Sequence, residues 1–249
     1  MGSKKDTKKT KNTDLLLNVN PKSRFAESIK TVRTNLAFSE IDKKMQVILV
    51  TSPESSDGKS FISGNLAVAY SQEDKKVLII DADLRRGRQH EIFKVANGAK
   101  FGYSNLILNY KDDKFIDEKS KFNLNDYLIK TGIDNIDLIP TGPTPPNPIE
   151  LLSSDNNSKL LHKLKKLYDI IIIDCPPIIG LSDAIVMTKY SDANILVISS
   201  KKTKIELVER VQKIFKQANA PLTGVIVNKA EVKGNSYYGY YDKYYGDSK

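Results

Sequence analysis

Six short runs rich in β-branched residues and Leu recur at residues 46–51, 76–80, 136–139, 169–173, 193–198 and 222–227, and most are separated by stretches of helical period. That alternation predicts βαβ units. The run Ile170-Ile171-Ile172-Ile173 leaves no position for a solvent-facing side chain, so both of its faces must be covered by helices, as in a parallel sheet. We therefore expect an α/β fold with a doubly wound, mostly parallel sheet. An amphipathic helix precedes the first strand, with Phe25, Ile29, Val32, Leu36 and Phe38 at near-helical spacing behind Ser23 as N-cap. Residues 87–134 show little period, with helical turns expected only at 103–108 and 115–127. Five prolines between Pro140 and Pro148 fix φ and remove backbone donors, which predicts a stiff loop.

The 249 residues suit one large domain or two small ones, and an apolar share of 40% with 28% charged excludes a wholly disordered chain. No apolar run approaches the roughly 18 to 20 residues that span a bilayer, and the start lacks a secretory signal, so a cytoplasmic location is expected. The single cysteine, Cys175, and two histidines, His90 and His162, exclude zinc, haem and Cys–His chemistry. Cys175 reads as a buried filler, His90 as a loop residue and His162 as part of a solvated helix face. Of the net charge of +9, residues 1–12 hold five Lys against one Asp, and no nucleic-acid partner is expected. Three segments follow: a flexible basic leader at 1–22, a globular domain at 23–232 and a mobile tail at 233–249. The tail carries Tyr237, Tyr238, Tyr240, Tyr241, Tyr244 and Tyr245, and no aliphatic side chain follows Val232.

The first strand runs into Ser55-Ser56-Asp57-Gly58-Lys59-Ser60-Phe61, and a helical pattern follows at once. Strand, loop, Gly-Lys-Ser and helix together supply what a phosphate chain needs: converging N–H groups, a helix N-terminus, a Lys point charge and a hydroxyl for Mg²⁺. The usual first Gly of such a loop is Pro53 here. The second strand ends in Asp81-Ala82-Asp83-Leu84-Arg85, where i, i+2 spacing turns both carboxylates to one side. The fourth ends in Asp174-Cys175-Pro176-Pro177, and ligands of open α/β sheets bind beyond the carboxyl ends of strands.

These motifs resemble the bacterial tyrosine kinases of capsule and exopolysaccharide synthesis, in the Gram-positive form with the kinase on its own cytoplasmic chain. The likeness covers about residues 22–249 and includes Gly142-x-x-Pro-Pro-Asn-Pro-x-Glu-Leu-Leu152, the Glu27-x-x-Lys30-x-x-Arg33 stripe and the tyrosine cluster. It implies ATP with Mg²⁺ as phosphoryl donor and a protein tyrosine as acceptor. On this chain Lys59 then binds the β- and γ-phosphates, and Ser60, Asp83 and Asp174 hold the metal. Asp81 accepts the tyrosine proton, Arg85 stabilises charge, and Asn228 contacts adenine. The tail tyrosines become acceptors in trans: the 16 residues from Lys229 to Tyr245 reach roughly 50 Å at about 3.3 Å each. Glu27, Lys30 and Arg33 become an interface of a homo-oligomeric ring. Further partners implied are the cytoplasmic tail of a membrane polysaccharide co-polymerase, which recruits the protein to the inner face of the membrane, and a tyrosine phosphatase that resets the tail. Two departures stand out: Ser55-Ser56 replaces the Pro-Gly of many relatives, and Lys30 replaces an Arg. A switch ATPase of the septum-placing or plasmid-partition kind is the rival reading, but it would carry a second Lys where this chain has Glu54. A nucleotide-binding scaffold with little kinase activity is the other.

Overall fold

The computed structural model describes residues 15–38, 45–96, 101–110 and 123–230. The leader before Leu15, the helical turn expected at 115–122 and the whole tyrosine tail from 231 onward lie outside the described residues. Among the described residues the strands are β1 (Val47–Thr51), β2 (Val77–Asp81), β3 (Ile129–Lys130), β4 (Ile136–Ile139), β5 (Ile170–Asp174), β6 (Ala193–Ser199) and β7 (Gly224–Asn228). They form one sheet in the order β3-β4-β2-β5-β1-β6-β7, parallel throughout except for the β3–β4 edge pair. The helices are α1 (Leu16–Val19), α2 (Arg24–Phe38), α3 (Lys59–Ser71), α4 (Gln89–Ile92), α5 (Tyr103–Asn109), α6 (Pro148–Ser153), α7 (Asp155–Leu164), α8 (Asp183–Met187) and α9 (Ile205–Gln217).

The doubly wound architecture follows from the alternation of side chains along fully buried strands. Leu49, Leu78, Ile80, Ile171 and Ile173 meet Leu106, Leu152, Leu160 and Ala184 of α5 to α8 on one face. Ile48, Val50, Ile79, Ile170 and Ile172 meet Ile29 and Leu36 of α2 and Ile62 and Leu66 of α3 on the other. Phe215 and Val211 of α9 cover Leu196 in a smaller cluster. Ser23 caps α2 as expected, its Oγ accepting from Ala26 N at 3.1 Å. The proline-rich loop ends where Pro148 takes the first position of α6, a place that needs no N–H donor. Among the described residues the poorly periodic region yields α5 and a 3₁₀ turn at Leu124–Tyr127 where helical turns were expected, and also α4 and β3, which were not expected.

The leader expected at 1–22 overlaps the packed domain at its end, because Leu15 to Lys22 lie among the described residues and the first of them join the core. Leu15 and Leu17 are fully buried. Gly64 on α3 makes room for the first: a Cβ there would stand 2.8 Å from Leu15 Cδ2. Leu17 N donates to Asn65 Oδ1 at 3.0 Å. Three consecutive leucines in a polar stretch are too few to show a period, so only the packing against α3 reveals the task of Leu15 and Leu17. Leu17→Ala is expected to cost about 3 kcal/mol and to lower the thermal midpoint by about 6–12 °C. A midpoint within about 1 °C of the unchanged protein would return these residues to the leader.

Register sets the position of the chemistry. The β2–β5 ladder aligns Asp81 with Asp174, and the β1–β5 ladder aligns Val50 with the same Asp174. Three adjacent strands thus end at one level, and each delivers a motif to the same edge.

Candidate active site

Beyond β1 the chain bends through residues 52–58 and enters α3 at Lys59. Thr51 Oγ1 donates to Pro176 O at 2.7 Å, which ties the start of this loop to the turn after β5. Asp57 is buried and folds the loop on itself, its Oδ2 accepting from Glu54 N at 3.1 Å. Gly58 caps α3 with φ 101, and a Cβ there would lie 2.1 Å from Asn228 Nδ2, so no other residue fits. The unpaired N–H groups and positive end of α3 face the same space, as an anion site requires.

Lys59 stands at its centre. Its Nζ lies 3.3 Å from Asp83 Oδ2, 3.5 Å from Asp174 Oδ1 and 3.3 Å from Ser60 Oγ. Burial alone would lower its pKa, but Asp174, Asp83 and Asp81 outweigh that and hold the ammonium above its ordinary value. Asp81 is fully buried, with Oδ2 accepting from Gln89 N at 2.9 Å and Oδ1 from Asp83 N at 3.4 Å. Burial, with Asp174 beside it, pushes its carboxyl well above the usual carboxylate range. Asp83, not Asp81, therefore borders the open cleft of about 770 Å³ that Lys59, Ser60, Phe61, Ser55, Ser56 and Gly58 also line. Burial pushes the Cys175 thiol up, as suits a filler.

Arg85 reaches the cleft and turns its Nε toward Asp183 Oδ1 at 3.7 Å. Asp183 is fully buried, and among the described residues neither of its oxygens accepts a hydrogen bond. It was not foreseen, because an Asp at the start of a short helix reads as ordinary capping. Gln89 was also missed. Its Nε2 donates to Asp174 Oδ2 at 2.8 Å and Ser60 O at 3.0 Å, so one side chain links the acid of β5 to the start of α3. No local pattern marks a lone Gln for this task.

Two of the expected sites make contacts that the sequence did not signal. Asn228, expected on adenine, donates from Nδ2 to Asp57 O at 2.9 Å and accepts at Oδ1 from Lys229 N at 2.8 Å, so one of its polar atoms braces the phosphate loop. The Glu27, Lys30 and Arg33 stripe does not present three free charges. Lys30 pairs with Glu27 at 2.7 Å, and Arg33 turns inward to Ala69 O and Glu73 at the end of α3.

Among the described residues no group of three or more His, Cys, Asp or Glu side chains forms a ready-made cation cage. The donor set instead suits Mg²⁺, which takes one or two carboxylates together with phosphate oxygens and water. Ser60 Oγ, Asp83 Oδ2 and Asp174 Oδ1 already converge on one cationic group, the Lys59 ammonium. The residues present therefore fit the metal.

A family model described as an AAA domain matches residues 45–224. The chain is 35% identical over 234 residues to the putative tyrosine-protein kinase CapB of Staphylococcus aureus, covering 94% of this chain and 97% of that protein. It is 34% identical over 221 residues to the tyrosine-protein kinase YwqD of Bacillus subtilis, covering 89% and 88%. The kinase domain of the Escherichia coli tyrosine kinase ETK superposes with a TM-score of 0.80 at 32% identity, over 92% of this chain and 85% of that one. With a phosphate loop and two acidic strand ends on a parallel sheet, and with near full-length likeness to named kinases, this chain belongs to the bacterial tyrosine-protein kinase family.

Proposed function

We propose that the protein is an ATP-dependent protein-tyrosine autokinase that phosphorylates the tail of a neighbouring copy and thereby regulates capsular and exopolysaccharide synthesis and export. The observation that carries this reading is the Lys59 ammonium at the N-terminus of α3, within 3.5 Å of both Asp83 and Asp174. Lys59 and the loop amides of residues 55–60 bind the phosphates, and Ser60, Asp83 and Asp174 hold Mg²⁺. The bound metal neutralises charge on the phosphoryl group. Asp83, the member of the acidic pair that faces the cleft, receives the tyrosine proton. A phenol with pKa near 10 is a poor nucleophile at neutral pH, so a carboxylate at that position speeds transfer. Asp81 positions Asp83 and the turn into α4 through its backbone bonds. Arg85 supports charge on the transferring group from the anchor of Asp183.

The acceptors are Tyr237, Tyr238, Tyr240, Tyr241, Tyr244 and Tyr245, which lie outside the described residues. A full complement of phosphates adds about −9 to −12 of charge and drives neighbouring copies apart. The cycle is then assembly into a ring, phosphorylation in trans, dissociation, and resetting by a phosphatase. In α2, Glu27 and Lys30 are the groups open to a neighbour, since Arg33 is committed to α3. A cytoplasmic segment of a membrane polysaccharide co-polymerase completes the adenine side and brings the protein to the inner face of the membrane. Among the described residues no helix is long and apolar enough to cross a membrane, which is compatible with recruitment through a partner.

Purified protein given Mg²⁺·ATP should acquire phosphate on residues 237–245 at a rate per molecule that rises with protein concentration, as read by mass spectrometry. A rate independent of dilution would make the reaction intramolecular. Nucleotide binding without phosphotyrosine would favour the scaffold reading.

A further inference from the structure

Three consecutive carbonyls of the phosphate loop are each held by a side chain, one from the turn between β6 and α9 and two from the end of β7. Lys202 Nζ, in the turn between β6 and α9, donates to Ser55 O at 2.9 Å. Lys229 Nζ, just past β7, donates to Ser56 O at 2.8 Å, and Asn228 Nδ2 donates to Asp57 O at 2.9 Å. Ser56 sits at φ 68, a left-handed conformation that glycine adopts freely and residues with a Cβ resist. We propose that Lys202, Lys229 and Asn228 form a clasp that holds the Ser56 peptide in this conformation, and that they are positioning residues for nucleotide binding.

The geometry gives the clasp a specific task. A loop that cradles phosphate turns its N–H groups inward, so its carbonyls must point outward and find other donors. A single exposed Lys on a carbonyl contributes little, but three donors on successive peptides fix the path of the backbone between them. The clasp is itself anchored. Ser200 Oγ donates to Lys229 O at 2.7 Å, and Ser200 N donates to Asn228 O at 2.9 Å, so the end of β7 is fastened to the β6–α9 turn. Thr203 Oγ1 adds a bond to Asp57 Oδ1 at 3.2 Å. Lys202 also lies 3.6 Å from Glu54 Oε2, on the same loop. The side-chain donors thus offset from outside the Cβ penalty that glycine at position 56 would not carry.

This inference rests on the nucleotide reading, and two measurements on the full chain separate them. The first needs no nucleotide: hydrogen exchange of the amides of residues 54–58. Lys202→Ala with Lys229→Ala should speed it about tenfold, and both lysines are exposed, so the sheet stays folded. The second is Mg²⁺·ATP affinity by calorimetry, which the same double variant should weaken about tenfold, the effect of one or two lost hydrogen bonds. Ser56→Gly placed on top should shrink both losses below about threefold, because glycine removes the Cβ penalty at φ > 0 that the clasp offsets. Unchanged exchange in the double variant would overturn the clasp. So would equal losses with and without Ser56→Gly, since the lysines would then act only as distant charge. If the unchanged protein failed to bind Mg²⁺·ATP while the exchange pattern held, the nucleotide reading and with it the positioning role would fall, while the clasp on the Ser56 peptide would stand.

Discussion

Lys59→Met should lower Mg²⁺·ATP affinity by at least about a hundredfold in calorimetry, with the sheet intact by circular dichroism. The ammonium is the one cation that touches Ser60, Asp83 and Asp174 together among the described contacts, and methionine keeps its stem but not its charge. Removing one partner of a buried charge cluster is expensive, about 3–5 kcal/mol, because the remaining carboxylates face one another. The variant should therefore show a pH signature. Asp81 already has its carboxyl raised above its unfolded value by burial and by Asp174. A carboxyl raised in the folded state binds protons more tightly there than in the unfolded chain, so stability falls as pH rises. Without Lys59 that fall should steepen, and acid should restore the variant as a proton replaces the ammonium. Unchanged affinity in Lys59→Met would remove the phosphate-site assignment.

Asp83→Asn should reduce autophosphorylation by more than about a hundredfold, whereas Asp81→Asn should reduce it by about tenfold. The asymmetry comes from position. Asp83 borders the cleft, while Asp81 is closed off with its oxygens on Gln89 N and Asp83 N. An Asn at 81 can keep its acceptor oxygen on Gln89 N, the 2.9 Å bond, and forfeits the 3.4 Å bond from Asp83 N, so most of the positioning survives. On the proposed assignment, an Asn at 83 would remove the proton acceptor and a metal-binding carboxylate at once. Asp174→Asn should resemble Asp83→Asn. Initial rates of phosphotyrosine formation at saturating Mg²⁺·ATP would measure this. A larger loss at 81 than at 83 would return the proton-accepting role to Asp81.

The parallel core was legible because its strands are continuous apolar runs, and the chemistry because each motif directly follows a strand. Ile170 to Ile173 announces burial on both faces, and Asp174 then announces a strand end. β3 stayed hidden because Ile129-Lys130 is too short for any alternation and pairs only at the edge. The tasks of Asn228 and Arg33 depend on partners far away in sequence, at Asp57 and Ala69, and no local pattern distinguishes them from a ligand contact or an interface charge. Gln89, Lys202 and Lys229 were missed for the same reason. Their role lies in tertiary hydrogen bonds, whereas periodicity reports only burial and local form.

The level ending of β1, β2 and β5 also bears on how the chain folds. Lys59 and Asp174 are 115 positions apart and meet only after the non-local pairing of β1 with β5 is in place. Such pairings form late and slowly, because long loops must close before any contact rewards them. A slip of one residue in either ladder would turn Asp174 to the opposite face and dismantle the site. Intermediates lacking that ladder are therefore blind to ATP, and the ligand recognises only the completed sheet. At a hundred times its dissociation constant, a ligand that binds only the native state adds about 2.7 kcal/mol to it. ATP at that ratio should then hold finished molecules back from unfolding and degradation while leaving unfinished ones unprotected.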